Sequence, residues 1–504
     1  MKKKLALISI SLIGAACVGF CACSAGGGWI SGDGWGGTTS PSDFEAGNYD
    51  YNSVTENGFK TVEAEPSSYF SLDRNTATYS LVRRQITDGR TVAPDSVRIE
   101  EMINYFDYDF TAPTEKAVEV SSYLAPCPWN EENMLMLAGV KTAEYDLDGE
   151  NCNYVFLIDV SGSMAGEDRI GLAKHGICKL VDGLGANDAV SLVTYASGVK
   201  TVLEGKECTA DNKTAIKNAV NKLVASGATS GGDGLERAYR LAESRFIAGG
   251  NNRIILISDG DFNVGMTSQD ELKEFIQEKA KSGIYLSVLG VGMGNTRDSI
   301  LETLATCGNG NYAYLDNQTE ADKVFTKELS GTLKTVAKDA KAGVTFTDAV
   351  EKYRLIGYDT KIISGADFDN ENADAGEIGS NLCVAALYEI KLADFDMPDE
   401  VGADAKLAEI EIRYKDVRTS EEINDSAKSD VYLVASASEN EDFKFIACVA
   451  EFGLILRQSA YKGNASFESV LNRLDGLSAY ISGDLLKQEF VTLVGTASEH
   501  PAYS

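Results

Sequence analysis

The stretch YVFLIDVSGSM, residues 154–164, decides the fold. Tyr154 to Ile158 is an unbroken apolar run of mainly β-branched and aromatic residues, which predicts a strand buried on both faces. Directly after it, oxygen-bearing side chains recur at every second position: Asp159, Ser161 and Ser163. In extended chain a period of two places all three on one side, at the carboxyl end of the strand, where α/β sheets gather their ligands.

Two further runs, Arg253 to Ser258 and Ile284 to Gly290, have the same near-continuous apolar character. Between them Ile170 to Leu184 and Asp211 to Val224 show helical spacing, and Ala189 to Tyr195 with Gly198 to Leu203 reads as a hairpin pair. The order β-α-β-β-α-α-β-α-β-α over residues 149–338 predicts an α/β domain with a doubly wound, mostly parallel six-stranded sheet, five of whose strands these runs place.

The flanks read differently. Residues 51–148 carry helical spacing at Thr76 to Asp88 and Ser96 to Phe106 and strand patterns near Val118 to Tyr123 and Met134 to Val140. Residues 339–504 carry strand patterns at Val344 to Thr347, Tyr353 to Tyr358, Leu382 to Ile390 and Leu407 to Tyr414, then helical spacing at Asp442 to Gln458, Phe467 to Leu474 and Leu485 to Val494. Neither flank has enough local partners for its strands, so a second α+β domain built from both ends, with the central domain inserted, is expected.

A second candidate strand ends in Ser258-Asp259-Gly260-Asp261, and Gly227-Ala228-Thr229-Ser230-Gly231-Gly232 offers a hydroxyl in a loop before a helix. Asp159, Ser161, Ser163, Thr229 and Asp259 thus come from three separate segments. A hard divalent cation takes about six oxygens and accepts neutral hydroxyls among them. Taken singly, each element has a plainer reading: Asp159-x-Ser161-x-Ser163 as a helix cap, Thr229 as a loop hydroxyl, Asp259-Gly260 as a turn. Asp233 and Asp261 are better explained by capping and turns than by ligation.

The D-x-S-x-S motif with the later Thr and Asp resembles the von Willebrand factor type A (VWA) family with an intact metal-ion-dependent adhesion site. Carried over by residue, the resemblance implies Ser161, Ser163 and Thr229 as direct or near-direct ligands, with Asp159 and Asp259 bound directly or through water. It implies Mg²⁺, with Mn²⁺ or Ca²⁺ as alternatives, and a protein partner that completes the coordination with an Asp or Glu. Tyr69 to Tyr79 and Val97 to Phe106, together with Arg354 to Tyr358 and Asp374 to Gly379, are similar to the flanks of a bacterial group of exported VWA proteins. Arg74 and Asn75 stand where that group has an Asp-rich stretch.

Export is expected on other grounds as well. Lys2 to Lys4 form a positive start and Leu5 to Phe20 an apolar stretch, so residues 1–23 read as a targeting segment. Phe20-Cys21-Ala22-Cys23-Ser24 resembles a bacterial lipobox with Cys23 as the lipid-attachment residue, and Gly14-Ala15-Ala16-Cys17 is a second candidate. Residues 24–50, rich in Gly, Ser and Thr, suit a flexible tether to a membrane lipid anchor. An uncleaved membrane anchor is the alternative.

A formal charge of −30 over 504 residues opposes a phosphate backbone, so nucleic acid is not expected as a partner. Seven cysteines beyond the first segment are dispersed without a C-x-x-C pair, which argues against zinc and leaves buried free thiols as the preferred reading. Only His175 and His500 could serve as imidazole bases, and neither nucleophile-elbow, phosphate-loop nor H-E-x-x-H motifs occur. A binding module rather than an enzyme is therefore expected, with a metal-dependent hydrolase, or an envelope scaffold with a purely structural ion, as alternatives. Asp367 to Asp374 lacks the Gly and Glu of a calcium loop and reads as a solvated acidic loop.

Overall fold

The structure is a computed structural model that describes residues 55–72, 74–144, 151–228, 232–260, 269–292, 298–329, 335–373, 375–393, 405–418, 422–433 and 440–503. Cys23 and the tether, Thr229, Asp261 and Asp374 lie outside the described residues.

In chain order the first flank supplies β1 (Lys60–Thr61), β2 (Ser67–Ser71), the helix Ala77–Thr87, a short helix Ile99–Ile103, β3 (Val118–Pro126) and β4 (Met134–Thr142). The central segment supplies β5 (Cys152–Asp159), β6 (Ala189–Tyr195), β7 (Val199–Glu207), β8 (Asn251–Ser258), β9 (Ile284–Val291) and β10 (Tyr312–Leu315). The last flank supplies β11 (Thr335–Phe346), β12 (Val350–Ile356), β13 (Gly376–Gly379), β14 (Cys383–Leu392), β15 (Lys406–Asp416) and β16 (Ile423–Tyr432), then the helices Glu441–Leu456, Phe467–Asp475 and Leu485–Ser498.

The central sheet runs β10-β9-β8-β5-β6-β7, parallel except for the edge strand β7. Alternation along β5 explains why its run is apolar throughout. Tyr154, Phe156 and Ile158 pack into one helix-covered layer, while Val155 and Leu157 pack into the other. The α/β class with a six-stranded, mostly parallel sheet is thus observed. The sixth strand, Tyr312–Leu315, is only four residues long and follows Gly308-Asn309-Gly310, too short to stand out as a run.

The two flanks share sheets. One antiparallel sheet has the order β1-β12-β14-β4-β3, and the other has β13-β11-β15-β16 with β2 also paired to β11. On β4 the pleat sends Leu135 and Leu137 toward the layer formed by the C-terminal helices, and Met136 and Ala138 into the space between the two sheets. The flanks therefore make a sandwich with a helical third layer, and each needs the other's strands.

The helix expected over Ser96 to Phe106 is shorter: a 3₁₀ turn at Pro94–Ser96, then Ile99–Ile103. Asn104 ends it by bonding to strand backbone instead, accepting from Ala385 N at 2.7 Å and donating to Ala385 O at 3.3 Å. The acidic segment opens as a helical turn, Gly365–Asp369, capped by Ser364 and held by Lys341 Nζ at the carbonyls of Asp367 (3.1 Å) and Asn370 (2.5 Å), and its acidic residues Asp367, Asp369 and Glu371 are exposed to solvent. The seven described cysteines form no disulfide with one another; Cys178 and Cys307 are partly exposed and the rest are buried.

Arg83, on the helix Ala77–Thr87, joins flanks and centre. Its buried guanidinium holds Asp316 (2.5 Å) and Glu320 (2.8 Å) of the central segment and Glu489 (2.7 Å) of the last helix. Tyr105 donates to Glu320 Oε2 at 2.5 Å.

Candidate metal centre

β5 delivers Asp159 to the carboxyl edge of the central sheet with the side chain fully buried, and Ser161 follows at 1% exposure. The Ser161 amide donates to Asp159 Oδ1 at 2.7 Å, and the hydroxyls of Ser161 and Ser163 lie 2.9 Å apart. Ser163 is exposed, so the cluster opens to solvent on that side. Neighbouring β8 ends at Ser258, placing the buried Asp259 next, and Gly260 turns the chain with φ +93° while its amide donates to Ser258 Oγ at 3.2 Å.

Asp159 and Asp259 are close enough to feel each other's charge. Burial pushes the Asp159 carboxyl up to about 6; the Ser161 hydrogen bonds pull the other way, and the Asp259 carboxylate pushes further up. Tyr195, opposite Asp159 in the β5–β6 register, is buried beside both carboxylates and Ser258. Among the described residues Asp159 Oδ2 and Asp259 Oδ1 are buried with no hydrogen bond. Two buried carboxylates without a cation are costly, which is the condition a bound divalent ion relieves.

The third segment is stitched to the first. Ser226 N donates to Val160 O at 2.6 Å and Gly162 N to Gly227 O at 2.9 Å, while Ala228 N donates to Ser197 Oγ at 3.0 Å. Gly227 sits at φ +93°, and a Cβ there would come within 2.7 Å of Ser197 Oγ, so the tight approach requires glycine. The chain up to residue 228 is thus tied to the serine motif, and Thr229 is next in sequence.

Sequence reasoning passed over Tyr195 and Arg169. Tyr195 carries no motif, only its place at the end of a strand adjoining β5. Arg169 Nη1 donates to Ser163 O at 2.5 Å and so braces the motif backbone, a contact that spacing does not announce. The donor set is hard oxygen, two carboxylates with hydroxyls, and it fits a divalent cation of the Mg²⁺ kind. Among the described residues no three His, Cys, Asp or Glu cluster in a way that could hold a metal. The imidazoles are engaged elsewhere: His175 Nε2 pairs with Asp322 at 2.7 Å and His500 with Gly89 O at 3.2 Å.

Three family descriptions match the chain in succession: von Willebrand factor over residues 45–137, von Willebrand factor type A domain over 153–327, and "Uncharacterized protein YfbK, C-terminal" over 331–499. The chain belongs to the VWA-containing, YfbK-like family. It is 36% identical over 443 residues to YfbK of Escherichia coli (strain K12), covering 83% of this chain and 76% of that one. It is 26% identical to inter-alpha-trypsin inhibitor heavy chain H3 of Homo sapiens over 38% of this chain, and spans 22% of that longer protein. A solved von Willebrand factor type A structure from Catenulispora acidiphila aligns at 14% identity and TM-score 0.41, covering 72% of this chain and 88% of that one. The VWA domain marks the chain as a protein-interaction or adhesion module.

Proposed function

We propose that the chain is a surface-anchored binding module, not an enzyme, that captures a partner protein's Asp or Glu through a divalent ion held by Asp159, Ser161, Ser163, Thr229 and Asp259. The reading is carried by one observation: two buried carboxylate oxygens, Asp159 Oδ2 and Asp259 Oδ1, without a hydrogen bond among the described residues, beside a pair of hydroxyls that opens to solvent. When bound, Mg²⁺ supplies a positive centre with a coordination position for an external carboxylate. The protein's own share is to hold the motif: Ser161 N orients Asp159, Arg169 braces Ser163, and the 226–228 loop fixes the rim. The formal charge of −30 does not bar an acidic partner, because charges beyond about 8 Å are largely screened at physiological salt whereas a direct metal bond is not. Anchoring is assigned to lipidated Cys23. Among the described residues no helix is long and apolar enough to cross a membrane.

A pull-down from native surface material with and without EDTA tests this. Partners should be retained by the unaltered protein in Mg²⁺ and lost in EDTA, and the Ser161→Ala plus Ser163→Ala protein should retain none. Metal-independent capture, or turnover of a substrate that disappears in Asp159→Ala, overturns it.

A further inference from the structure

At the amino edge of the central sheet, opposite the serine motif, the turn that precedes β10 meets both flanks around a cavity of about 270 Å³. The central segment contributes Asn309 and Asn311, the first flank Asn75, and the last flank Thr360, Ile362 and Glu377. Asn309 is held in the left-handed region at φ +47°, a conformation Asn accepts more readily than most residues. No side-chain hydrogen bond engages Asn75, Asn309 or Asn311 among the described residues, although all three are partly buried. Elsewhere in this molecule buried amides are used: Asn104, Asn133 and Asn252 all bond. Three idle amides around one cavity are a different arrangement.

Glu377 adds a second, independent observation. Its Oε2 is buried with no hydrogen bond, an acceptor waiting for a donor. Lys361 also lines the cavity, so the lining carries one formal charge of each sign and favours no strongly charged guest of either. Side-chain amides and hydroxyls both donate and accept, and so do the hydroxyls of a sugar. No aromatic ring lines the space, which leaves nothing for a nucleobase to stack on, whereas Ile362, 43% exposed, offers an aliphatic wall for the C–H face of a pyranose. The volume is at the small end of ligand pockets, about 300–1,000 Å³, and suits one ring.

We propose that this cavity binds a neutral monosaccharide unit, free or at the end of a glycan, with the three asparagine amides and Glu377 bonding its hydroxyls and Ile362 covering its apolar face. The site is independent of the metal centre. Saturation-transfer NMR and calorimetry on the full chain, with glucose, galactose, mannose and N-acetylglucosamine and with their oligomers, test it.

At least one sugar should bind with its ring protons saturated, with equal affinity in Mg²⁺ and EDTA. Tighter binding of the oligomer points to a glycan end, and equal binding to the free sugar. Asn75→Ala with Asn311→Ala, and separately the surface change Thr360→Val, should each weaken it, the double change by at least about tenfold, the loss of one or two hydrogen bonds. Circular dichroism confirms that each variant is folded. Absence of binding by all four sugars, binding unaffected by both variants, or preferential binding of a charged amino acid such as lysine overturns the proposal.

Discussion

Two pairs of buried carboxylates sit at the carboxyl side of the same sheet, and they are treated in opposite ways. Asp316 and Glu320, after β10, are closed in by Arg83, Tyr105 and Lys323. Burial alone would push the Glu320 carboxyl up, but Lys323, Arg83 and the Tyr105 hydroxyl outweigh it and hold it below the ordinary range. Asp159 and Asp259, at the ends of β5 and β8, are as deeply buried, no ion pair to either occurs among the described residues, and Asp159 is displaced upward. The first pair is given counter-charges from within the chain and ties flank to centre, although burial still holds the Asp316 carboxyl up and Glu320 Oε1 has no hydrogen bond among the described residues. The second has no such counter-charge among the described residues. Burial of acid groups is therefore not by itself the mark of a site; the lack of an internal counter-charge is.

The largest effect should come from breaking the counter-charged pair. Arg83→Met leaves Asp316 and Glu320 uncompensated and should cost about 3–5 kcal/mol in urea unfolding. A loss below about 1 kcal/mol would show that water already reaches them.

The other pair should respond in binding rather than folding. Asp159→Ala should weaken Mg²⁺ binding at least about 100-fold by calorimetry, since even residues behind metal ligands are worth about 10–100-fold. Asp316→Asn should leave that affinity within about twofold. Equal losses in both would erase the distinction. In the same terms, Mg²⁺ at about 100 times its Kd should raise the stability of the unaltered protein by about 2.7 kcal/mol and that of Asp159→Ala by no more than about 0.4 kcal/mol.

Glu377 lies between these extremes, with Lys338 nearby but one oxygen unbonded. Burial raises its carboxyl from the ordinary 4.5 to about 7, against the pull of Lys338. The folded state thus holds a proton that the unfolded chain has released, so this group's contribution to stability falls as pH rises from about 4.5 to 7. Glu377→Gln should flatten that fall by about 1–2 kcal/mol, discounted for partial exposure, in denaturant melts across the range. An unchanged profile would mean that the carboxyl is solvated. The smallest effect is expected at Arg84, whose partly exposed guanidinium lies 3.6 Å from Asp168 in the helical turn Glu167–Gly171 after the serine motif. Arg84→Ala should change stability by less than about 1 kcal/mol, and a marked change in Mg²⁺ affinity would instead bring the flank helix into the site.

How much of this could be read from residues alone follows from where the signal lies. β5, β8 and β9 are buried on both faces, so their apolar runs are continuous and plain. β16 reads INDSAKSDVY with only Ala427 and Val431 buried, and β13 is four residues, so neither leaves a pattern. The helix at Ile99 stops early because Asn104 finds a partner on β14, a contact set by tertiary structure. At the site, Asp159, Ser161, Ser163 and Asp259 are legible because each follows the end of a readable strand. Tyr195 and Arg83 are not, for their roles depend on what lies across from them.

The sharing of sheets by the two ends has a consequence for how the molecule is made. β2 pairs with β11 and, at Phe70, bridges Ile362, and Thr142 Oγ1 bonds Gly379 O, 237 positions further along. The opening strands must therefore wait, with apolar faces uncovered, until synthesis has passed well beyond the centre, while β5 to β10 need only one another. Such distant pairing is slow and exposes the intermediate to aggregation. Truncation after residue 338 would strand the first flank permanently, so the last third of the chain acts as an obligate companion for its beginning.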